Sequence, residues 1–263
     1  MHRGIDAAAL TLIDRHRVHA VSAQVGGPTW SAGARPLCER DPQQVDVGLH
    51  LDLTEWPLQP AVRLPLKALL VRSYARRLDA ALLRGEIRAQ LDAFERAMAR
   101  APSHVDGHQH VHQLPLVRSL LMEELLRRYR GRLPWLRGTR APPPAAHADQ
   151  RASVKAAIIA ALGARGLAAL ARRHGAAQNA RLLGVYDFGG DAAAYARRLA
   201  RWLRAAATGD LLMCHAGALG ERPDTLAHAR QNEFAVLSSP AFAALMASEN
   251  IRLRPMRAIL GLP

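Results

Sequence analysis

At 263 residues the chain is long enough to bury one sizeable core, so a single domain over 1–263 is expected. Apolar residues make up 49% and charged residues 22%, which excludes wholesale disorder, and two cysteines, Cys38 and Cys214, exclude a disulfide framework and suit a reducing compartment. The formal net charge of +14 is carried almost wholly by Arg, with Lys only at 67 and 155.

Such a charge fits nucleic acid or an anionic surface. Arginines such as Arg72, Arg76, Arg127 and Arg201 are instead spread over predicted helices, which reads as solvated helix faces, and no nucleic-acid partner is expected. The opening stretch MHRGIDAAALTLIDRHRVHAV has no uninterrupted apolar core, so neither a secretory signal nor a membrane span is expected, and the location expected is cytoplasmic.

Residues 5–15 space Ile5, Leu10, Leu12 and Ile13 as a helix would, and Val18–Val25 reads as a strand closed by Gly26-Gly27-Pro28. After a polar connection through Arg40-Asp41-Pro42, residues 43–54 alternate strictly. Val45, Val47, Leu49, Leu51 and Leu53 lie on one face, and Asp46, Gly48, His50 and Asp52 on the other. Residues 56–66 hold three prolines and read as a long loop over the mouth of a site. Two amphipathic helices follow, over Lys67–Leu83 and Glu86–Arg100.

His104-Val105-Asp106-Gly107-His108-Gln109-His110-Val111-His112 places four histidines and one aspartate at even positions. In an extended strand all five would look the same way. Imidazoles with a carboxylate on one face suit zinc or another divalent ion, and His50 becomes a further candidate ligand beside them.

A helix is expected over 116–129. A Pro-rich stretch over 131–146 holds Trp135, with Arg137 and Arg140 nearby, and reads either as a plain surface loop or as a substrate-covering loop with an aromatic platform. A helical region over 153–174, broken by Gly163 and Gly166, comes next. A short strand over 182–190 and an amphipathic helix over 192–207 follow.

Asp210–Gly217 reads as a buried strand delivering His215 at its C-terminal end, where sites of α/β folds assemble. Adjacent strand residues point to opposite faces, so Cys214 would face the core as an inert thiol and not pair with His215 as a nucleophile. A polar turn near 221–224, helices from Thr225 and from Pro240 to Ser248, and a last strand over 251–253 close the chain.

Gly48-Leu49-His50-Leu51, the 104–112 stretch and Met213-Cys214-His215-x-Gly217 resemble, in order and spacing, the carbohydrate deacetylases of the YdjC-like family. That family includes diacetylchitobiose deacetylase and the hopanoid-associated deacetylases. Gly184-Val185-Tyr186-Asp187-Phe188 and Arg230-x-x-Glu233 are similar as well. The resemblance implies an α/β fold, an irregular β/α barrel, that hydrolyses N-acetyl groups of amino sugars with a divalent metal, magnesium or zinc. It implies His50 and His108 as metal ligands and His215 as catalytic acid or transition-state stabiliser. Asp106, His110 and His112 would be supporting or substrate-facing groups, with Asp106 able to orient an imidazole or take part in proton transfer. The expected partner is an N-acetylated amino sugar, and a homodimer is compatible with the pattern.

Two departures stand out. Ala216 occupies a position where the family has proline, and the family's opening strand with its Asp-Asp-Phe-Gly motif is missing, since Met1–Ile5 already resembles the helix after it. Asp52 or Asp106 would substitute only in part for those aspartates, so impaired activity is expected. Alternatives are a non-catalytic homologue that binds sugar or metal, and a metal-dependent amidohydrolase of another barrel type.

Overall fold

The structure is a computed structural model that describes residues 3–146, 150–218, 220 and 224–262. Its elements are α1 (Arg3–Asp14), β1 (Ala20–Ala23), α2 (Trp30–Cys38), β2 (Asp46–Leu51), α3 (Leu66–Tyr74), α4 (Ala80–Met98), β3 (His104–Gly107), α5 (Val117–Arg128) and β4 (Trp135–Leu136). These are followed by α6 (Gln150–Ala161), α7 (Ala164–His174), β5 (Leu182–Leu183), α8 (Ala192–Ala205), β6 (Leu211–Leu212), α9 (Ala227–Ser238), α10 (Pro240–Ser248) and α11 (Met256–Ile259).

The first four strands form a parallel sheet in chain order, and β5 pairs with β6, also parallel. Backbone contacts link the two sheets: Leu136 N donates to Ala177 O at 2.9 Å and Leu182 N to Arg140 O at 2.8 Å. The strands thus follow one another as one parallel series with helices between them, the α/β arrangement expected from the sequence.

The alternation over 43–54 works on both faces of β2. Val45, Val47, Leu49, Leu51 and Leu53 are buried with Leu83, Ile87, Leu91 and Phe94 of α4 in the main core, and full burial of each such side chain is worth about 1.5–3 kcal/mol. The opposite face looks inward. There Asp46 accepts from Trp135 Nε1 at 3.1 Å, and Gly48 lies directly under His104, where an added Cβ would come within 2.4 Å of the ring. Only glycine lets that histidine sit across the strand.

Among the described residues β1 and β6 are not paired with each other. Asp46 N bonds His19 O, while Leu211 N bonds Arg181 O and Met213 N bonds Leu183 O. In a parallel ladder alternate residues serve the same neighbour, so the backbone groups of Ala20 and Ser22 in β1, and of Leu212 and Cys214 at β6, point away from their partner strands. All four residues border one cavity. Helix α1 packs against both α2 and α9.

Several expectations need correction. The 104–112 stretch is extended only to Gly107. Residues 108–113 then form a 3-10 turn in which Gln109 (φ 50°) and His110 (φ 63°) are left-handed, so the period of two ends there. The strand expected over 210–217 is paired only at Leu211–Leu212, and its residues are half-buried because one edge faces the cavity. No strand forms over 251–253, where Ile251 and Leu253 pack singly against the cluster around α8.

The helix expected over 67–83 ends at Tyr74, and α4 starts only after Asp79, whose carboxylate caps it by accepting from Leu82 N. Helix α2, which carries Pro36 inside it, had no counterpart in the sequence reading. The Pro-rich stretch contains β4, and Trp135 is buried instead of forming an exposed platform. Of the polar turn expected near 221–224, residues 221–223 lie outside the described residues.

Among the described residues no single helix is long and apolar enough to cross a membrane; α6 and α7, bent by 47° at Gly163, reach that length and apolarity only as a pair.

Candidate active site

A cavity of about 1720 Å³ opens at the C-terminal ends of the strands and runs down between β1 and β6. His50, Asp106, His108, His110, Arg137 and His215 all line it. Three strand ends therefore deliver imidazoles to one space: β2 brings His50, the end of β3 brings His108, and the segment after β6 brings His215.

Asp106 sits at the floor, buried, at the centre of a hydrogen-bonded group. His50 Nδ1 lies 2.6 Å from its Oδ1, Ser22 Oγ donates to its Oδ2 at 3.0 Å, and Arg137 Nη1 lies 2.5 Å from Oδ2. Burial alone would raise its pKa, but the charges of Arg137 and His50, with the hydrogen bond from His50, hold it well below the usual carboxylate value. An ionised Asp106 takes the Nδ1 proton of His50 in its hydrogen bond, which leaves Nε2 with a free lone pair. Asp106 thus orients His50 and is itself fully engaged.

The Ser22 hydroxyl proton goes to Asp106, so the 3.0 Å contact between Ser22 Oγ and His104 Nε2 is a bond donated by the imidazole. His104 is buried and stacks on Trp135 at 4.4 Å between centroids. It faces the same way as Asp106, as strand alternation requires, and serves as a strut beneath the site.

His108 stands at the mouth, its ring edge-on to His50 with centroids 5.5 Å apart and its Nε2 3.2 Å from Glu55 Oε1. Contact with His108 holds the Glu55 carboxyl below its ordinary pKa. The other two histidines of the stretch diverge. His112 is buried and donates from Nε2 to Arg137 O at 2.8 Å, and burial lowers its pKa to about 4. His110 accepts from Arg137 Nη2 at 3.3 Å. Burial, reinforced by the Arg137 charge, keeps it neutral. Gly107 permits this folding back, since a Cβ there would meet His112 N at 2.8 Å.

Asp52 is buried and consumed by the following turn, accepting from Thr54 N at 2.8 Å, Trp56 N at 2.6 Å and Gln24 Nε2 at 2.5 Å. It shapes the loop that carries Glu55 and does not present a free carboxylate to the cavity.

On the opposite wall His215 lies with Nδ1 4.0 Å from Glu233 Oε1 and its ring edge-on to Phe188 at 5.0 Å. Glu233 is buried, accepts from Tyr186 Oη at 2.6 Å and from His215 N at 2.5 Å, and burial raises its pKa to about 7. Burial, then the charges of Arg230 and Arg137, lower His215 to about 3. Of these two side chains Glu233 is therefore the one that takes up a proton more readily. Cys214 stays a thiol, its pKa pushed up to about 12 by burial.

Ser22 and Glu55 carried no expectation from the sequence. Ser22 is nevertheless the one hydroxyl in an otherwise apolar strand. Arg137 was visible only as a neighbour of Trp135, and its burial against Asp106 comes from the pairing of β4 with β3.

The donor chemistry of His50 and His108 suits a divalent ion, but a resident catalytic ion takes at least three protein ligands. Among the described residues no three His, Cys, Asp or Glu side chains are grouped so as to hold one. The residues supply half of such a site, and no catalytic step is derived through a metal.

Comparison with known proteins gives a consistent picture. The family described as YdjC-like protein matches residues 1–248. A human protein named carbohydrate deacetylase is 29% identical over 277 residues, spanning 90% of this chain and 80% of that protein. Its mouse counterpart is 31% identical over 266 residues, spanning 90% and 84%. Among solved structures, a protein from Enterococcus faecalis described as a cellobiose-phosphate cleavage protein superposes with a TM-score of 0.66 at 16% identity, over 98% of this chain and 94% of that one. At that identity the likeness speaks for the fold.

Proposed function

The chain belongs to the YdjC-like family, and from that premise we propose that it removes N-acetyl groups from amino sugars or their oligosaccharides by hydrolysis. The observation that carries the reading is the convergence of His50, His108 and His215, from three separate strand ends, on one cavity. The parallel series of strands that delivers them supports reading the fold as an irregular β/α barrel.

Amide hydrolysis adds water to the carbonyl carbon and breaks the C–N bond, so the departing nitrogen must acquire a proton. In this chain His215, on the cavity wall, is the group placed to protonate the departing amine or to stabilise the negative charge that grows on the adduct. Arg137 brings a positive charge to the opposite wall, and Asp106 fixes the His50 ring. His50 and His108 form a half-site for magnesium or zinc.

A second reading has its own support. With two imidazoles and no third ligand in place, the chain would bind sugar or metal without turnover. Acetate release from N-acetylglucosamine oligosaccharides, with magnesium or zinc supplied and a His108→Ala control alongside, separates the two. Release that the control abolishes supports the deacetylase, whereas no release from a chain that still binds the oligosaccharide supports the non-catalytic reading.

A further inference from the structure

Six large apolar side chains are exposed among the described residues: Trp56, Leu58, Val71, Tyr74, Val154 and Ile158. None is scattered elsewhere. They fall on the 54–58 loop, on α3 and on α6, and these same elements send Trp56, Leu66, Leu70 and Ile159 into the lining of the cavity. Tyr74 Oη donates to Leu162 O at 2.7 Å, tying the end of α3 to the end of α6. The exposed apolar groups therefore share one side of the cavity's rim. A concentration of this kind marks an interaction surface more than a random surface does.

The charge on these elements is one-sided. Residues 56–78 contain five Arg and Lys and no Asp or Glu, and residues 150–162 contain two and none. Lys67, Arg72 and Arg76 are exposed and make no ion pair among the described residues. The flanking carboxylates are engaged elsewhere: Glu55 faces His108, and Asp79 caps α4. The sequence suggested cations dispersed over solvated helix faces, but the fold gathers these on one rim.

We propose that this rim docks on the surface of an anionic phospholipid bilayer, with Trp56, Val71 and Val154 entering the headgroup region and Lys67, Arg72 and Arg76 meeting lipid phosphates. Aliphatic side chains gain nothing from a nucleic-acid backbone, and a second copy of the chain would set cations against cations. A bilayer surface rewards both features, by burying apolar area and by attracting basic side chains. The inference is independent of the reaction proposed above, since it rests on the rim and not on the histidines.

Tryptophan fluorescence tests it directly, because Trp30, Trp135 and Trp202 are buried and Trp56 is 40% exposed. With phosphatidylcholine vesicles containing phosphatidylglycerol, the protein should co-sediment and its emission should shift to the blue. Both effects should weaken as salt is raised and be absent with phosphatidylcholine alone. Trp56→Phe should still co-sediment without the shift. Val71→Ser combined with Val154→Ser should weaken co-sedimentation by roughly tenfold, and Arg72→Glu combined with Arg76→Glu provides the same reading on the charged side. The proposal is overturned by failure to co-sediment. It is equally overturned by co-sedimentation without a blue shift that ignores the valine changes, which would be adsorption by net charge alone.

Discussion

His50 Nδ1 rests 2.6 Å from Asp106 Oδ1, and this one contact decides which nitrogen of His50 faces the cavity. Because Asp106 is also held by Ser22 and Arg137, the orientation of a side chain at the mouth depends on a buried network reaching across three strands.

Removing the charge at Asp106 should cost more than removing a surface carboxylate. Asp106→Asn leaves Arg137 buried beside a neutral partner, and breaking a buried pair on one side costs about 3–5 kcal/mol. Urea unfolding should show that loss for Asp106→Asn and for Arg137→Met alone. The double variant should recover part of it, and strictly additive losses would mean that the two side chains are not coupled.

Ser22 is expected to matter through what it leaves behind. In Ser22→Ala the Nε2–H of buried His104 loses its acceptor, at a cost of about 1–3 kcal/mol. The variant should unfold at lower urea, and Ser22→Thr, which keeps the hydroxyl, should recover much of the difference. A Ser22→Ala protein as stable as the parent would argue against the bond inferred from the 3.0 Å contacts.

Stability should fall as pH drops from 6.5 towards 4. His104, His110, His112 and His215 are all kept neutral by burial, His112 down to about 4 and His215 to about 3. Below 6.5 the unfolded chain binds protons that the folded chain refuses, at about 1.4 kcal/mol per pH unit for each group. Glu233 works in the opposite sense. Its folded pKa of about 7 lies above the ordinary 4.5, so between those values the folded chain holds a proton the unfolded chain releases, and its contribution falls as pH rises. Glu233→Gln should therefore steepen the rise of stability from pH 4.5 to 6.5, and an unchanged slope in chemical denaturation would count against a protonated Glu233.

The same residue gives a kinetic prediction. If Glu233 stores the proton that His215 delivers, acetate release should decline as pH passes above about 7. Glu233→Gln should lower kcat and lose that decline, with KM little changed. A variant that retained the alkaline limb would place the titrating group elsewhere.

Zinc should bind weakly, because His50 and His108 are two ligands where three are usual. Calorimetric titration should show one weak site that disappears in His50→Ala and again in His108→Ala. Tight binding that survives either change would mean that the ligands lie elsewhere.

Much of this was legible in the chain itself. Strict alternation over 43–54 specified β2 and put His50 on its inward face, since a strand with one apolar row has only one way to bury it. The spacing of Tyr195, Leu199, Trp202 and Leu203 specified α8, whose buried stripe is these four residues. The three histidine segments, in their order, pointed to the family.

What alternation could not supply was its own end point. His110 and His112 keep the period of two on paper, but two left-handed residues after His108 turn them towards Arg137. The cause is tertiary, because Gly107 lets the chain fold back and β4 delivers Arg137 to the place it reaches. Asp52, considered a partial substitute for the aspartates of the family motif, anchors a turn, for a carboxylate beside several unpaired backbone N–H groups is captured by them. Glu233 and His215 lie 18 residues apart in sequence and became a pair only when α9 packed beside the end of β6. The sequence by itself determined which faces are apolar and which residue types could do chemistry. Only the tertiary structure decided which of those polar side chains are spent on one another and which remain free to act, because that depends on distances between segments that no local pattern encodes.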